Sequence, residues 1–341
     1  MADVSVAILG LGRLGASIGL ALKRYNRTGS EHTFTIGGYD TDPENVRTAQ
    51  KMGAVDEANN RPESIVKNRD IVVMAMPYGE VGAAYDLIKQ NLRPGVVILD
   101  LSALKGGSTQ WAQKNLSEDT HLVCAAPIVN PAYLFSGTNE TRLASEDYFD
   151  KGVMYLMPGV KSIKEAIALA GDFARILGSD VRFADAIEYD ALVASTEALP
   201  NLLGVVYFHA LLRSQGWEDV QRFSNPAMTM LTRPLFDTHS DDMVKLMLDA
   251  RGDLVRVLDE FTSTLREYRT ALANGDRHAL ENALETNAKA YEGWINRRHN
   301  NRWKEDEDLK GSSGPSFGDV MGNMFGSFLT NRIRGGKKND E

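Results

Sequence analysis

The chain has 341 residues, 43% of them hydrophobic and 25% charged, and a formal net charge of −8. That length holds two domains with substantial cores, and the acidic balance argues against nucleic acid as the main partner. A single cysteine, Cys124, fits a reducing compartment, the opening residues read as strand rather than signal peptide, and no apolar run reaches the length of a membrane span, so a cytoplasmic protein is expected.

Residues 4–9 read as a short buried strand. Gly10-Leu11-Gly12-Arg13-Leu14-Gly15 follows at once and opens an apolar helix over 16–23. A second strand over 33–39 ends at Asp40. Gly10 allows the tight turn, Gly12 lets backbone approach a pyrophosphate, and Gly15 lets helix pack on strand. The free N–H groups and positive dipole end of that helix favour phosphate. Asp40 sits where a carboxylate accepts a hydrogen bond from a ribose 2′-hydroxyl. With Asp42 beside it, a 2′-phosphate would be repelled, so NAD is favoured over NADP. Arg13, inside the turn, either reaches a phosphate or faces water.

The alternation continues: helix 43–52 with Asp42 as N-cap and Pro43 at its first position, strand 70–76 stopped by Pro77, helix 81–91, and strand 96–101 after the Pro94-Gly95 turn. Helix 108–115, strand 121–126, a polar loop 130–151, strand 153–157, helix 163–177 and strand 180–183 complete a Rossmann-type, doubly wound parallel sheet over 1–184. Met76 and Pro77, where the strand over 70–76 stops, join Gly10, Gly12, Arg13, Leu14, Gly15 and Asp40 as the expected dinucleotide-binding set.

From 185 the pattern changes to long helices: 186–214 with a kink expected at Pro200, 241–274 and 276–300. An all-helical C-terminal domain over 185–303 is expected, and its apolar surface suggests a homodimer. Residues 311–315 are a Gly/Ser linker, and 317–329 place apolar residues at helical spacing, interrupted by glycines, before a basic end. That tail over 304–341 reads as a docking helix, a disordered tail or a membrane-surface or partner helix.

Over about residues 4–303 the chain resembles the prephenate/arogenate dehydrogenase family. The resemblance rests on the stretch from Gly10 to Ile18, on Met74-Ala75-Met76-Pro77, on Asp100-Leu101-Ser102-Ala103-Leu104-Lys105-Gly106, on Ala125-Ala126-Pro127-Ile128, and on residues 194–203. It implies an NAD-dependent oxidative decarboxylation of prephenate or arogenate in tyrosine biosynthesis. In that reaction hydride leaves the carbon bearing the ring hydroxyl, a histidine takes the hydroxyl proton, and carbon dioxide is lost as the ring aromatises. At the histidine position this chain has Ala126, whose methyl accepts no proton. The family serine falls on Ala103, with Ser102 adjacent, and two further family histidines fall near Glu197 or Ala198 and on Asn201. Arg222 and Arg233 are the nearest candidates for the substrate arginine.

Four residues are therefore candidates for the chemistry: Lys105, Asn201, Ser102 and Tyr189. Lys105 either touches substrate or nicotinamide or is a solvated loop lysine. Asn201 either orients a substrate hydroxyl or carbonyl or is a core amide. Tyr189, before Asp190, is a candidate acid/base group in place of the missing imidazole. Glu197 is either a base whose pKa burial has raised or a solvated residue on the helix back. Cys124, mid-strand, is expected to be buried and inert. Two alternatives accompany the family reading: a dehydrogenase or reductase of another hydroxy or keto acid, and a non-catalytic NAD sensor or assembly protein.

Overall fold

The computed structural model describes residues 2–28, 32–136, 139–301 and 303, so the expected linker and tail lie outside the described residues. β1 (Ala2–Leu9) leads into α1 (Arg13–Arg27), β2 (His32–Tyr39) and α2 (Pro43–Lys51), which Asp42 caps by accepting the Glu44 N–H. Two short elements that the pattern does not announce follow, β3 (Glu57–Ala58) and α3 (Pro62–Ile65). The alternation resumes with β4 (Ile71–Met74), α4 (Tyr78–Ile88), β5 (Val97–Asp100), α5 (Gly106–Asn115) and β6 (His121–Ile128). β7 (Val153–Pro158), α6 (Lys164–Leu177) and β8 (Asp180–Phe183) complete the sheet.

The strand order is β3-β2-β1-β4-β5-β6-β7-β8. β7 pairs antiparallel with β6 and parallel with β8, and every other pairing is parallel. The reversed pair departs from a purely parallel sheet. Its cause is the connection over 129–152, whose described residues carry only the one-turn helices Pro131–Tyr133 and Thr141–Leu143 rather than a crossover helix. Alternate residues of β1 serve opposite cores: Val6 and Ile8 pack with α1 and α6, Ala7 and Leu9 with α4 and α5. Leu9 pairs with Tyr39 and Met74, Met74 with Asp100, and Asp100 with Cys124. That row brings Gly10, Asp40, Ala75 and Leu101 to one carboxyl edge, the edge where open α/β sheets bind ligands.

The helical half comprises α7 (Ala186–Val193), a widened turn at Ala194–Ala198, α8 (Leu199–Leu212), α9 (Trp217–Val220), α10 (Pro226–Thr232), α11 (Pro234–Asp237), α12 (Ser240–Asp249), α13 (Arg251–Ala273) and α14 (Arg277–Asn300). The distortion expected at Pro200 falls one turn earlier. Pro200 lies in the first turn of α8, and its ring disfavours the carbonyl four residues back, so the preceding turn opens and the Leu199 N–H reaches the Ala194 carbonyl. Leu104, Val193, Ala194, Ala198, Leu246, Leu254 and Val257 form a third core joining α7, α12 and α13 to the β5–α5 turn. Residues Ala186–Leu212 are, by length and composition, long and apolar enough to cross a membrane, which the sequence reading did not anticipate. Beyond that core the helices are bare: α14 buries only Arg298 among its 24 residues.

Candidate active site

The glycine turn is built by backbone collisions that glycine avoids. Gly10 has φ +96°, and a Cβ there would strike the Ala75 carbonyl and stand 2.8 Å from the Met76 nitrogen. A Cβ on Gly15 would strike the Gly10 carbonyl and lie 3.1 Å from Ile8 Cγ2. The β4–α4 turn with Met76 and Pro77 thus packs directly on the glycine turn. The N-terminus of α1 has no capping side chain and no acidic residue in its first turn, leaving the N–H groups around Leu14 for an anion. Asp40 closes the turn from the side: its Oδ2 accepts the Leu11 N–H at 2.6 Å and its Oδ1 the Asp42 N–H at 2.8 Å. Oδ1 also accepts the Asn45 amide N–H at 3.3 Å, so it is Oδ2 that keeps a lone pair for a hydroxyl donor. These residues fit the pyrophosphate and adenosine ribose of a dinucleotide.

Arg13 does neither of the things its position suggested. Its side chain is 4% exposed, with the guanidinium over the rings of Tyr133 at 5.2 Å and Tyr148 at 4.7 Å. It donates to the Ser136 carbonyl at 3.0 Å and hydroxyl at 2.9 Å. The β6–β7 connection is thereby anchored beside the turn. Its Asn139 carbonyl accepts the Arg13 N–H at 3.1 Å, and the Thr141 hydroxyl donates to the Leu11 carbonyl at 2.8 Å. A Cβ on Gly12 would meet the Asn139 amide at 3.4 Å. Sequence reasoning missed this cover, because nothing near Arg13 in the chain names partners more than a hundred residues away.

Two strands along the same edge, Lys105 is fully buried, which overturns the solvated reading. Its Nζ donates to the carbonyls of Ala125 at 2.8 Å, Asp100 at 3.3 Å and Ser102. All three N–H bonds are committed, so Lys105 does not reach out to a substrate; it clamps the ends of β5 and β6. Burial pushes its pKa down, opposed by the neighbouring Asp100. Ser102 is committed as well, donating its hydroxyl to the Leu104 carbonyl at 3.1 Å and its N–H to Asp100 Oδ1 at 2.7 Å. The Asp100 carboxylate, itself fully buried, also accepts the Tyr85 hydroxyl at 2.7 Å.

The second half of the chain closes over this clamp. Both oxygens of Asp190 accept backbone N–H groups at the start of α5, Lys105 at 2.7 Å and Gly106 at 2.8 Å, a docking contact the sequence did not reveal. Tyr78 donates to Asp249 at 2.8 Å, adding a second link between halves. The Tyr189 ring lies 5.4 Å from Lys105 Nζ. Burial, with Glu197 and Asp190 adding, drives the Tyr189 pKa up, so it holds its proton at neutral pH and is suited to donate rather than to accept a proton. Glu197 sits in the widened turn and is exposed. Desolvation by the protein around it raises its pKa; Lys105 opposes the shift and Asp242 adds to it.

Among the remaining candidates, Asn201 is half-buried on α8 and Ala126 is 2% exposed on β6, presenting only a methyl. His121 starts β6 at the far edge, and His209 is exposed on α8. Cys124 is buried as expected, its thiol pushed up to about 12 by burial. Arg233 is bound to Asp237 at 2.7 Å, and Arg222 is exposed.

Residues 18–182 match the family model for the prephenate dehydrogenase nucleotide-binding domain. The chain is 24% identical over 292 residues to a cyclohexadienyl dehydrogenase of Zymomonas mobilis, covering 84% of this chain and 94% of that protein. It is also 24% identical over 294 residues to a prephenate dehydrogenase of Bacillus subtilis, covering 84% of this chain and 75% of that one. Among solved structures, a prephenate dehydrogenase of A. aeolicus, crystallised with hydroxyphenyl propionate and NAD+, superposes with a TM-score of 0.69 at 18% identity. That match covers 85% of this chain and 98% of the other.

Proposed function

We propose, because the nucleotide-binding half of this chain belongs to the prephenate dehydrogenase family, that the protein is an NAD-dependent dehydrogenase acting on prephenate or arogenate. The observation that carries the reading is one edge holding two devices. The glycine turn with Asp40 receives a dinucleotide, and the Lys105 clamp two strands away faces the helical half. When bound, NAD+ supplies a hydride acceptor. The chain's own residues then do the rest: Asp40 takes the ribose, the N-terminus of α1 takes the phosphates, and Tyr189 presents a proton-bearing hydroxyl. The division into a dinucleotide unit over 1–184 and a substrate and dimer unit over 185–303 belongs to this reading, as does a cytoplasmic location.

The direct test is to mix protein with NAD+ and either acid and follow absorbance at the reduced nicotinamide band. Turnover on one of them supports the reading. Saturable NAD+ binding without turnover on either favours the non-catalytic sensor, a reading that Ala126 motivates. Asp40→Ala removes both the ribose acceptor and the Leu11 tether. We expect NAD+ affinity to fall about tenfold, the worth of one charge-assisted hydrogen bond, and discrimination against NADP+ to shrink. Titration calorimetry with both coenzymes checks it.

The helical half supports a homodimer. Val206, Leu212, Met230, Phe236, Val255 and Leu265 are all exposed, and α13 buries only Leu254 and Val257 among 23 residues. Bare apolar helices of this kind are more often subunit surface than solvent surface. Light scattering is expected to give twice the 37.5 kDa chain mass at micromolar concentration. A monomer contradicts the dimer.

A further inference from the structure

We infer that Glu197 is the general base of the oxidation proposed above, occupying the role that the methyl of Ala126 cannot perform. The inference rests on that reading and adds a residue to it. Position 126 adjoins the Ala125 carbonyl, which Lys105 Nζ holds at 2.8 Å, so the Lys105 ammonium marks where a base on β6 would stand. Glu197, from the helical half, lies within electrostatic reach of the same ammonium. Ala194 and Ala198, both fully buried against Leu104, pin the two ends of the widened turn, and the residues between them, Ser195, Thr196 and Glu197, all remain open to solvent. Single turns of this kind inside an α-helix recur at functional sites.

The other titratable groups at this edge are excluded by their bonding. Lys105 has spent its three N–H bonds on carbonyls. Asp190 has both oxygens on the N-terminus of α5, and Asp249 is bound by Tyr78 and Lys245. Asp242, on α12, accepts the Gly79 N–H, and Tyr189 keeps its proton. Of the carboxylates at this edge, Glu197 alone has solvent contact and no hydrogen bond or ion pair among the described residues. Lys105 supplies the facing positive charge, Asp242 and Tyr189 the groups on either side, and the raised pKa moves the carboxylate toward the range of an effective base.

The step balances. The O–H bond of the ring hydroxyl breaks and its proton passes to the Glu197 carboxylate. The C–H bond on the same carbon breaks with both electrons, transferred as hydride to the oxidised nicotinamide, and that carbon becomes a carbonyl. The bond to the ring carboxylate then breaks, carbon dioxide leaves, and its electron pair enters the ring. The carbonyl oxygen becomes a phenolate and recovers the proton from Glu197.

The test compares wild-type protein with Glu197→Gln and Glu197→Ala, using NAD+ with prephenate or arogenate. For Glu197→Gln, kcat should fall by about 10²–10⁴-fold, the usual worth of a general base, while NAD+ affinity stays within about twofold. Wild-type kcat should rise with pH through the Glu197 pKa, and this limb should vanish in Glu197→Gln. Formate, a small carboxylate, should restore Glu197→Ala by about tenfold or more, a rescue that a merely structural role would not show. In coenzyme-free protein, carbon-13 NMR of glutamate carboxyls should show, beside those of Glu80 and Glu188, a resonance titrating above the ordinary range that is missing from Glu197→Gln. Wild-type turnover with an unchanged kcat and pH profile in Glu197→Gln overturns the inference and leaves the dehydrogenase reading standing. No NADH from wild type overturns both.

Discussion

Gly15→Ala is expected to remove dinucleotide binding and to lower the thermal midpoint. The added Cβ meets the Gly10 carbonyl, which is backbone, and Ile8 Cγ2 at 3.1 Å, which is core. Neither gives way as a flexible side chain would. Overpacking of this kind costs about 1–3 kcal/mol, and a backbone collision belongs at the upper end. For a chain of this size that is a fall in midpoint of roughly 3–5 °C. The binding effect is larger than the stability effect. Pushing α1 away from β1 moves the N–H groups at its start, and an anion held by several such donors loses all of them together. Calorimetry with NAD+ should show no saturable heat below millimolar concentration, while circular dichroism retains the α/β signature. Gly53→Ala is the control: a Cβ there meets nothing within 4 Å, and although its φ of +74° carries local strain, it lies away from the turn.

Lys105→Met is expected to cost about 3–5 kcal/mol of unfolding free energy, the usual range for stranding a buried charge. The variant keeps the stem and loses the ammonium. The carbonyls of Ala125, Asp100 and Ser102 lose their donor, and the buried Asp100 carboxylate loses its nearby positive charge, keeping only the Tyr85 hydroxyl and the Ser102 N–H. Two strand ends are released at once, so the β5–α5 turn that Asp190 grips loses its support. Urea unfolding should show the midpoint shift with an unchanged slope. A shift under about 1 kcal/mol would mean that Lys105 is an exchangeable surface-type lysine. Because Lys105 also faces Glu197, the same variant should move the Glu197 pKa further up, delaying the rise of kcat to higher pH.

The first 40 residues were readable because their signals are local. A buried strand, three glycines at fixed spacing and an acid ending the next strand each follow from neighbours in the chain, and Gly10, Gly15 and Asp40 occupy the places that spacing implies. What stayed hidden depends on contacts across the sequence. The direction of β7 is decided by the course of 129–152, not by its own apolar residues, which are equally compatible with either direction. Arg13 is captured by Tyr133, Ser136 and Tyr148, and Lys105 by Ala125. For both cations a loop position suggested water or ligand, and burial decided otherwise. β3 has only two residues and so presents no period to read. The distortion near Pro200 was foreseeable, but its place was not, because the opened turn is shared with the packing of Ala194 and Ala198 against Leu104. Asp190 was visible only as the residue after Tyr189; its grip on α5 needed the fold.

The central expectation is that the glycine turn and Asp40 receive a dinucleotide at the edge that the helical half overhangs. Titration calorimetry of the wild-type chain with NAD+ and with NADP+ measures this directly. Saturable binding of one NAD+ per chain, with NADP+ bound more weakly because Asp40 and Asp42 oppose the extra phosphate, is the result expected. The absence of binding heat with either coenzyme at millimolar concentration would contradict it.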